Sequence, residues 1–390
     1  MTPMNTRDAA HTLAGHPPAG GPADATTPAL RPRPALTRLP RYAAGRPPVV
    51  VEGLTAYKLS SNENPFGPVP AVREAIARWD GVNRYPETTS AALREVLGEV
   101  LGVPPEDVVA GAGSLGALNQ LLAAFVGTAE DGTPDEVVHA WRSFEAYPIS
   151  IGLSGGLGVP VPNRRDGSHD LDAMAAAVTT RTKAVLLCTP NNPTGPSLTT
   201  AEVDRFLAAV PRDVLVVIDE AYQEFQRRDD LVDGIEAYRR HPNVVVLRTF
   251  SKAHGLAGLR IGYSVARPEI TRHLRQAVPA FSVTDLAQQA AIASLRHRDQ
   301  VAERVQRVVD ERERVLAGLR ELGWAHPETQ ANFVWLNLGE HSEAFADLCD
   351  AHALSVRRFG AEGVRATVGE PEANTRLLEL CARFLHPPVL

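Results

Sequence analysis

The sequence predicts an α/β fold: a mostly parallel sheet covered by helices on both faces, followed by a smaller α+β unit at the C-terminal end. Three observations carry this. Between about residues 108 and 248, short β-branched runs that are apolar throughout alternate with helical stretches, the pattern of strands buried on both faces. From Glu269 onward the texture changes, and a long Arg/Glu-rich stretch precedes strands and helices in a different order. A length of 390 residues provides core for two such units.

Residues 1–36 are rich in Ala, Pro, Gly and Thr without apolar periodicity, and read as a disordered extension that adds nothing to the fold. Order is expected from near Leu39–Tyr42. Strands are predicted at Val108–Ala110, Glu136–His139, Ala184–Cys188, Val214–Ile218 and Val244–Arg248. Helices are predicted between them, for example Leu115–Phe125 and Ala201–Ala209. A long helix over Asp299–Leu322 leads into a strand at Asn332–Leu336. A further helix, strands at Leu354–Arg357 and Val364–Thr367, and a last helix from about Glu372 complete the C-terminal unit. The expected division is an arm over 37–75 that contributes to the small domain, a large domain over 76–280 and a small domain over 281–390. No internal repeat is visible.

Apolar content of 44% and charged content of 22% are those of a soluble globular protein. Net charge is −6, from 40 basic against 46 acidic residues, and no Lys/Arg cluster forms a nucleic-acid footprint. Cys188, Cys349 and Cys381 show neither pairing logic nor ligand spacing, so no metal is expected and a reducing cytoplasm is the default. The longest apolar runs, such as Val214–Ile218, are too short to span a bilayer, and the polar N-terminus shows no secretory signal.

Lys252 is one of only three lysines in the chain, with Lys58 and Lys183. It sits in Arg248-Thr-Phe-Ser-Lys-Ala-His-Gly-Leu-Ala-Gly-Leu-Arg260, a polar, Gly-punctuated run that suits an amine held beside a phosphate. That pairing suggests a lysine Schiff base to pyridoxal 5′-phosphate (PLP), whose ring is an electron sink. Three other segments bear on the same chemistry. Ala110-Gly-Ala-Gly-Ser-Leu-Gly-Ala-Leu118 follows a strand and opens a helix, so its backbone N–H groups could meet an anion; taken alone, it reads more simply as a strand-to-helix turn. Thr189-Pro-Asn-Asn-Pro-Thr-Gly195 ends a strand and could offer an Asn amide to a cofactor oxygen, or be an ordinary Pro/Asn/Gly turn. Asp219-Glu-Ala-Tyr222 closes another strand with a carboxylate that is costly to bury without a cation; a protonated pyridine nitrogen would serve, and a helix-capping Asp is the plain alternative. All four fall at carboxyl ends of strands or on the helices that follow, and such an assembly is improbable by chance.

These segments, with Lys58-Leu-Ser-Ser-Asn-Glu-Asn-Pro-Phe-Gly-Pro68, Asn83-Arg-Tyr-Pro-Glu87, Ala331-Asn-Phe-Val-Trp335 and Val364-Arg-Ala-Thr367, carry a resemblance. Over about residues 36 to 386 the chain resembles the histidinol-phosphate and aromatic aminotransferases, a class II branch of the fold-type I PLP-dependent transferases. The Trp141–Pro148 stretch, the Asn332–Leu336 run and the short segment between Arg357 and Arg365 are most similar to the actinobacterial aromatic aminotransferases. The resemblance implies a large domain with a seven-stranded-type sheet. It implies that Lys252 carries the cofactor and shuttles a proton, that Asp219 partners the pyridine nitrogen, and that Asn192 and Tyr222 bind the ring hydroxyl. Phe144 would stack on the ring. Ser114, the Leu115 amide, Ser251, Arg260 and Thr249 would cradle the phosphate, and Tyr85 would reach a neighbouring subunit's phosphate in a homodimer with shared sites. Arg365 would clamp the substrate α-carboxylate, with Arg357, Tyr42 and Asn192 also on the substrate side. His254 departs from the aromatic residue usual after Ser-Lys-Ala; a packing residue behind the site is the reading, with no catalytic role.

The function this implies is ping-pong amino transfer between an aromatic L-amino acid and a 2-oxo acid such as 2-oxoglutarate. The alternatives are a histidinol-phosphate aminotransferase, a phospho-amino-acid decarboxylase on the same fold, and a PLP-sensing regulator. The last normally needs a fused DNA-binding domain, for which residues 1–36 are too short and too Pro/Gly-rich.

Overall fold

The computed structural model describes residues 31–37 and 39–385. Most of the predicted extension, residues 1–30, lies outside them. Residues 34–37 already form a 3-10 turn, earlier than the expected start near Leu39. The Arg33 guanidinium anchors this turn by donating to the Leu153 carbonyl at 2.8 Å.

In chain order, the first elements are a two-residue strand β1 (Tyr57–Lys58), α1 (Pro70–Arg78), α2 (Ala91–Leu101), β2 (Val108–Gly111), α3 (Gly113–Phe125) and β3 (Glu136–Trp141). Next come α4 (Ala146–Ser154), β4 (Leu157–Pro162), α5 (Leu171–Ala176), β5 (Thr182–Cys188), α6 (Thr200–Ala209), β6 (Leu215–Asp219), α7 (Gly234–Arg240), β7 (Val244–Thr249) and β8 (Gly262–Val265). The starts are chemically marked. Pro occupies the first turn of α1, where its missing N–H has no helical partner to lose. A capping box joins Thr199 and Glu202 at α6, and the Asp233 carboxylate caps α7.

These strands form a seven-stranded sheet in the order β2-β8-β7-β6-β5-β3-β4. Only β8 runs antiparallel, against β7 on one side and β2 on the other. All five strands predicted in this region are present. Two were missed. β4 is an edge strand containing Pro160 and Pro162, which a ladder tolerates only at its margin. β8 is four residues beginning with glycine. Neighbouring residues along each central strand point to opposite cores: Val138, Val185, Val216 and Val246 face one, Val137, Leu186, Val217 and Val245 the other. This explains why the runs are apolar throughout rather than alternating.

The C-terminal part contains α8 (Pro268–Ala277), α9 (Asp285–Arg296), α10 (Arg298–Glu321), β9 (Phe333–Leu336), α11 (Ser342–Asp350), β10 (Leu354–Ser355), β11 (Arg357–Phe359), β12 (Gly363–Thr367) and α12 (Pro371–Leu385). Strands β11, β12 and β9 form an antiparallel sheet, and β1 pairs with β10 in parallel. A third core gathers Val315, Leu319, Trp324, Phe345, Leu354, Val364 and Leu377 here, and Leu59 from the N-terminal arm enters it fully buried. Among the described residues no helix is long and apolar enough to cross a membrane.

Candidate active site

A cavity of about 380 Å³ opens where the carboxyl ends of the parallel strands face the β11–β12 hairpin. Ligands of open α/β sheets bind at this end, because successive strand-to-helix turns deliver side chains and helix N-termini there. Of the residues singled out in the sequence, Lys252, Ser114, Leu115, Phe144, Asn192, Asp219, Tyr222, Thr249, Ser251, Arg260, Arg365, Arg357 and Tyr42 all line it. Tyr85 does not. It is 81% exposed, with its ring stacked on that of Phe281 at 4.4 Å.

One end of the cavity gathers hydrogen-bond donors that could meet an anion. Helix α3 starts without a side-chain cap, so the N–H groups at Ser114 and Leu115 stay open. A Cβ on Gly262 would stand 2.4 Å from the Ser114 amide nitrogen, so bare glycine on β8 is what lets the helix start come so close to the sheet. Arg260, held in left-handed backbone at φ 55°, donates to Ser251 Oγ at 3.4 Å and to the Ala257 carbonyl at 2.9 Å. Thr249 Oγ1 donates to the same Ser251 Oγ at 3.0 Å.

The middle of the cavity holds an acid and an amine. Asp219 ends β6 and is 5% exposed. Its Oδ2 accepts from Tyr147 Oη at 2.8 Å, and its Oδ1 is buried with no partner. Burial pushes its pKa up to about 6 against the opposing effect of the Tyr147 hydrogen bond. A half-satisfied buried carboxylate leaves one acceptor oxygen to which a protonated pyridine nitrogen would donate. Lys252 Nζ donates to the Ser61 carbonyl at 3.1 Å. Burial, reinforced by Arg365, lowers its pKa to about 7, far below that of an ordinary lysine amine. Tyr222 Oη accepts from Asn62 Nδ2 at 3.0 Å. Phe144 lies edge-on to Tyr147 and Tyr42, at 5.6 and 6.4 Å between centroids.

The far end carries two arginines with different partners. Arg365 donates to Asn192 Oδ1 at 2.5 Å and to the Ser60 carbonyl at 2.8 Å, and its buried Nε has no partner. Arg357 instead meets the carboxylate of Glu145 at 2.5 Å. Tyr42 and Glu145 also border a second, mostly apolar cavity of about 670 Å³ between the N-terminal arm and the β3–α4–β4 region. Sequence reasoning missed Asn62, Tyr147 and Glu145, although all three lie inside segments that carried the resemblance. His254 is placed behind the site, its Nδ1 2.7 Å from Ser294 Oγ and its ring against Phe250.

Fold and cavity together define a fold-type I transferase, with amine, buried acid and anion cradle at the strand ends. The chain belongs to the aminotransferase class I and II family, whose model matches residues 55–380. It is 51% identical over 360 residues to the aromatic amino acid aminotransferase of Streptomyces avermitilis, covering 92% of this chain and 98% of that one. It is 49% identical over 353 residues to the enzyme of the same name from Thermobifida fusca, covering 90% and 96%. Among solved structures, histidinol-phosphate aminotransferase from Sinorhizobium meliloti in complex with pyridoxal 5′-phosphate matches with a TM-score of 0.80 at 29% identity, covering 91% of this chain and 98% of that one. The L-threonine-O-3-phosphate decarboxylase of Porphyromonas gingivalis, at 22% identity and a TM-score of 0.72, shares the fold.

Proposed function

We propose that this protein is a PLP-dependent aromatic amino acid aminotransferase, exchanging an amino group between an aromatic L-amino acid and a 2-oxo acid such as 2-oxoglutarate. The observation that carries the choice of substrate is the closure of Arg357 by Glu145 beside an aromatic wall of Tyr42, Phe144 and Phe359, while Arg365 has only neutral hydrogen-bond partners. A histidinol-phosphate aminotransferase would need cations free for a substrate phosphate. About 50% identity to enzymes named for aromatic amino acids supports the same choice.

When bound, PLP supplies an electron sink for the charge left on the substrate Cα. In this reading the start of α3, Ser251, Thr249 and Arg260 hold its phosphate, and Asp219 and Tyr222 face its ring with Asn192. Lys252 would hold the cofactor covalently in the resting enzyme and, once displaced by the incoming substrate amine, would serve as the base that takes the proton from the substrate Cα, a task that suits an amine whose pKa is lowered towards neutrality. Arg365, whose partners are neutral and whose Nε has none, would clamp the α-carboxylate. Side-by-side transamination assays with phenylalanine, tyrosine and histidinol phosphate test the reading, and a strong preference for histidinol phosphate overturns the aromatic assignment. Arg365→Ala should lower kcat/KM for every amino acid by roughly a hundredfold, since all present the same carboxylate.

The active unit in this reading is a homodimer, in which the exposed Tyr85 serves the phosphate of a second copy. Mixing Tyr85→Phe with Lys252→Ala chains should then give a hybrid with one site carrying both lesions and one carrying neither. If no wild-type-like site forms on mixing, cross-subunit donation is wrong. Three free, buried cysteines accord with a reducing cytoplasm.

A further inference from the structure

We propose that Glu145 sets side-chain specificity by neutralising Arg357 at the far end of the cavity. An apolar substrate side chain then meets no net charge there, while an acidic one must displace Glu145 to reach Arg357. The proposal rests on the aminotransferase reading above and deepens it.

In the antiparallel β11–β12 pair, Arg357 and Arg365 are direct cross-strand partners, so their side chains share one face of the ladder. Two like charges so placed repel unless one is compensated. The Phe359 ring lies near both, with the Arg357 and Arg365 guanidinium carbons 5.5 and 5.6 Å from its centroid. Their other contacts then separate their roles. Those of Arg365 are to a neutral amide and a backbone carbonyl, so its positive charge stays available to a carboxylate. Arg357 is closed by Glu145, which comes from the opposite wall just before α4, and by the Ala44 carbonyl at 3.0 Å. The pair is sheltered, with side-chain exposures of 13% for Arg357 and 29% for Glu145. In such a setting removal of one charge is felt strongly by the other.

The other acids near the cavity do not pair with Arg357 among the described residues. Glu63 pairs with Lys58 at 3.0 Å, Asp219 accepts from Tyr147, and Glu362 on the β11–β12 turn is held by Arg142. Among the described residues, the carboxylate that pairs with Arg357 is that of Glu145. Glu145 also borders the second cavity, which gives its carboxylate space to turn into when an acidic side chain takes its place.

The test is Glu145→Gln, with Glu145→Asp as the charge-keeping control and Arg357→Ala as the background without the cation. Calorimetric titration of the PLP-loaded enzyme with glutarate and with 3-phenylpropionate reads the side-chain pocket apart from turnover. The glutarate-to-phenylpropionate affinity ratio should rise about tenfold in Glu145→Gln. The kcat/KM ratio for glutamate over phenylalanine should rise in step, mainly through KM. Glu145→Asp should keep a ratio close to that of the wild type, and Glu145→Gln in the Arg357→Ala background should produce no shift. An unchanged ratio, or a parallel loss for both ligands as a purely structural ion pair gives, overturns the proposal. If the wild type turns over no aromatic amino acid, the functional reading fails instead, and the glutarate titrations still decide the role of Glu145.

Discussion

Lys252→Ala is expected to abolish amino transfer, by roughly six orders of magnitude, because one group supplies both the covalent attachment and the proton transfer. The amine hangs from the loop after β7, half-buried, with Nζ 3.1 Å from the Ser61 carbonyl and facing the same cavity as Asp219. Neither other lysine is equivalent: Lys58 is paired with Glu63, and Lys183 is exposed on β5. Borohydride reduction of the PLP-loaded enzyme followed by peptide mapping should therefore mark the peptide containing Lys252. A mark on Lys58 or Lys183 instead would sink the assignment of the whole cavity. The variant should still bind PLP without covalent attachment, because the groups proposed to hold its phosphate, at the start of α3, Ser251 and Arg260, do not depend on the amine.

The parts legible in the sequence are those whose physics is local. A strand buried on both faces shows as an unbroken apolar run, so the central strands are visible one by one. A strand-end turn shows as Gly, Pro and Asn at close spacing, so the segments that carry Ser114, Asn192, Asp219 and Lys252 are visible. Singly, most of them read as ordinary turns or caps, and it is their joint occurrence and the resemblance that give these residues their roles. Strand β4 is hidden because its two prolines argue against a ladder, and nothing local says that it lies at the edge, where they are tolerated. Partners contributed by distant elements are hidden for another reason. Tyr147 meets Asp219 across 72 residues, Asn62 meets Tyr222 across 160, and Glu145 meets Arg357 across 212. Each of these residues has ordinary neighbours in the chain, and its importance comes from the group it faces once folded. Arg357 shows the consequence. The resemblance puts it on the substrate side as a cation, and the fold pairs it with the Glu145 carboxylate.

Asp219→Asn is expected to slow amino transfer by roughly 10²–10⁴-fold, the equivalent of about 3–5 kcal/mol for removing one partner of a buried charge pair. The same change should stabilise the cofactor-free protein. In that state the Asp219 carboxylate is buried with one oxygen unpartnered, and burial raises its pKa from the ordinary 3.8 to about 6. A group whose folded pKa lies above its unfolded value binds its proton more tightly in the folded state. Its stabilising contribution is therefore complete below about pH 4 and is lost as pH rises through about 6, a swing of about 3 kcal/mol for a shift of this size. Thermal unfolding of cofactor-free wild type and Asp219→Asn should diverge across that window, the wild type losing stability with rising pH relative to the variant. Saturation with PLP should reverse the order at neutral pH, because a cation facing the open carboxylate oxygen offsets its burial. If Asp219→Asn keeps near-normal activity, or if the two cofactor-free proteins track each other across the window, the carboxylate is not held for a cationic ring and the pyridine nitrogen must lie elsewhere.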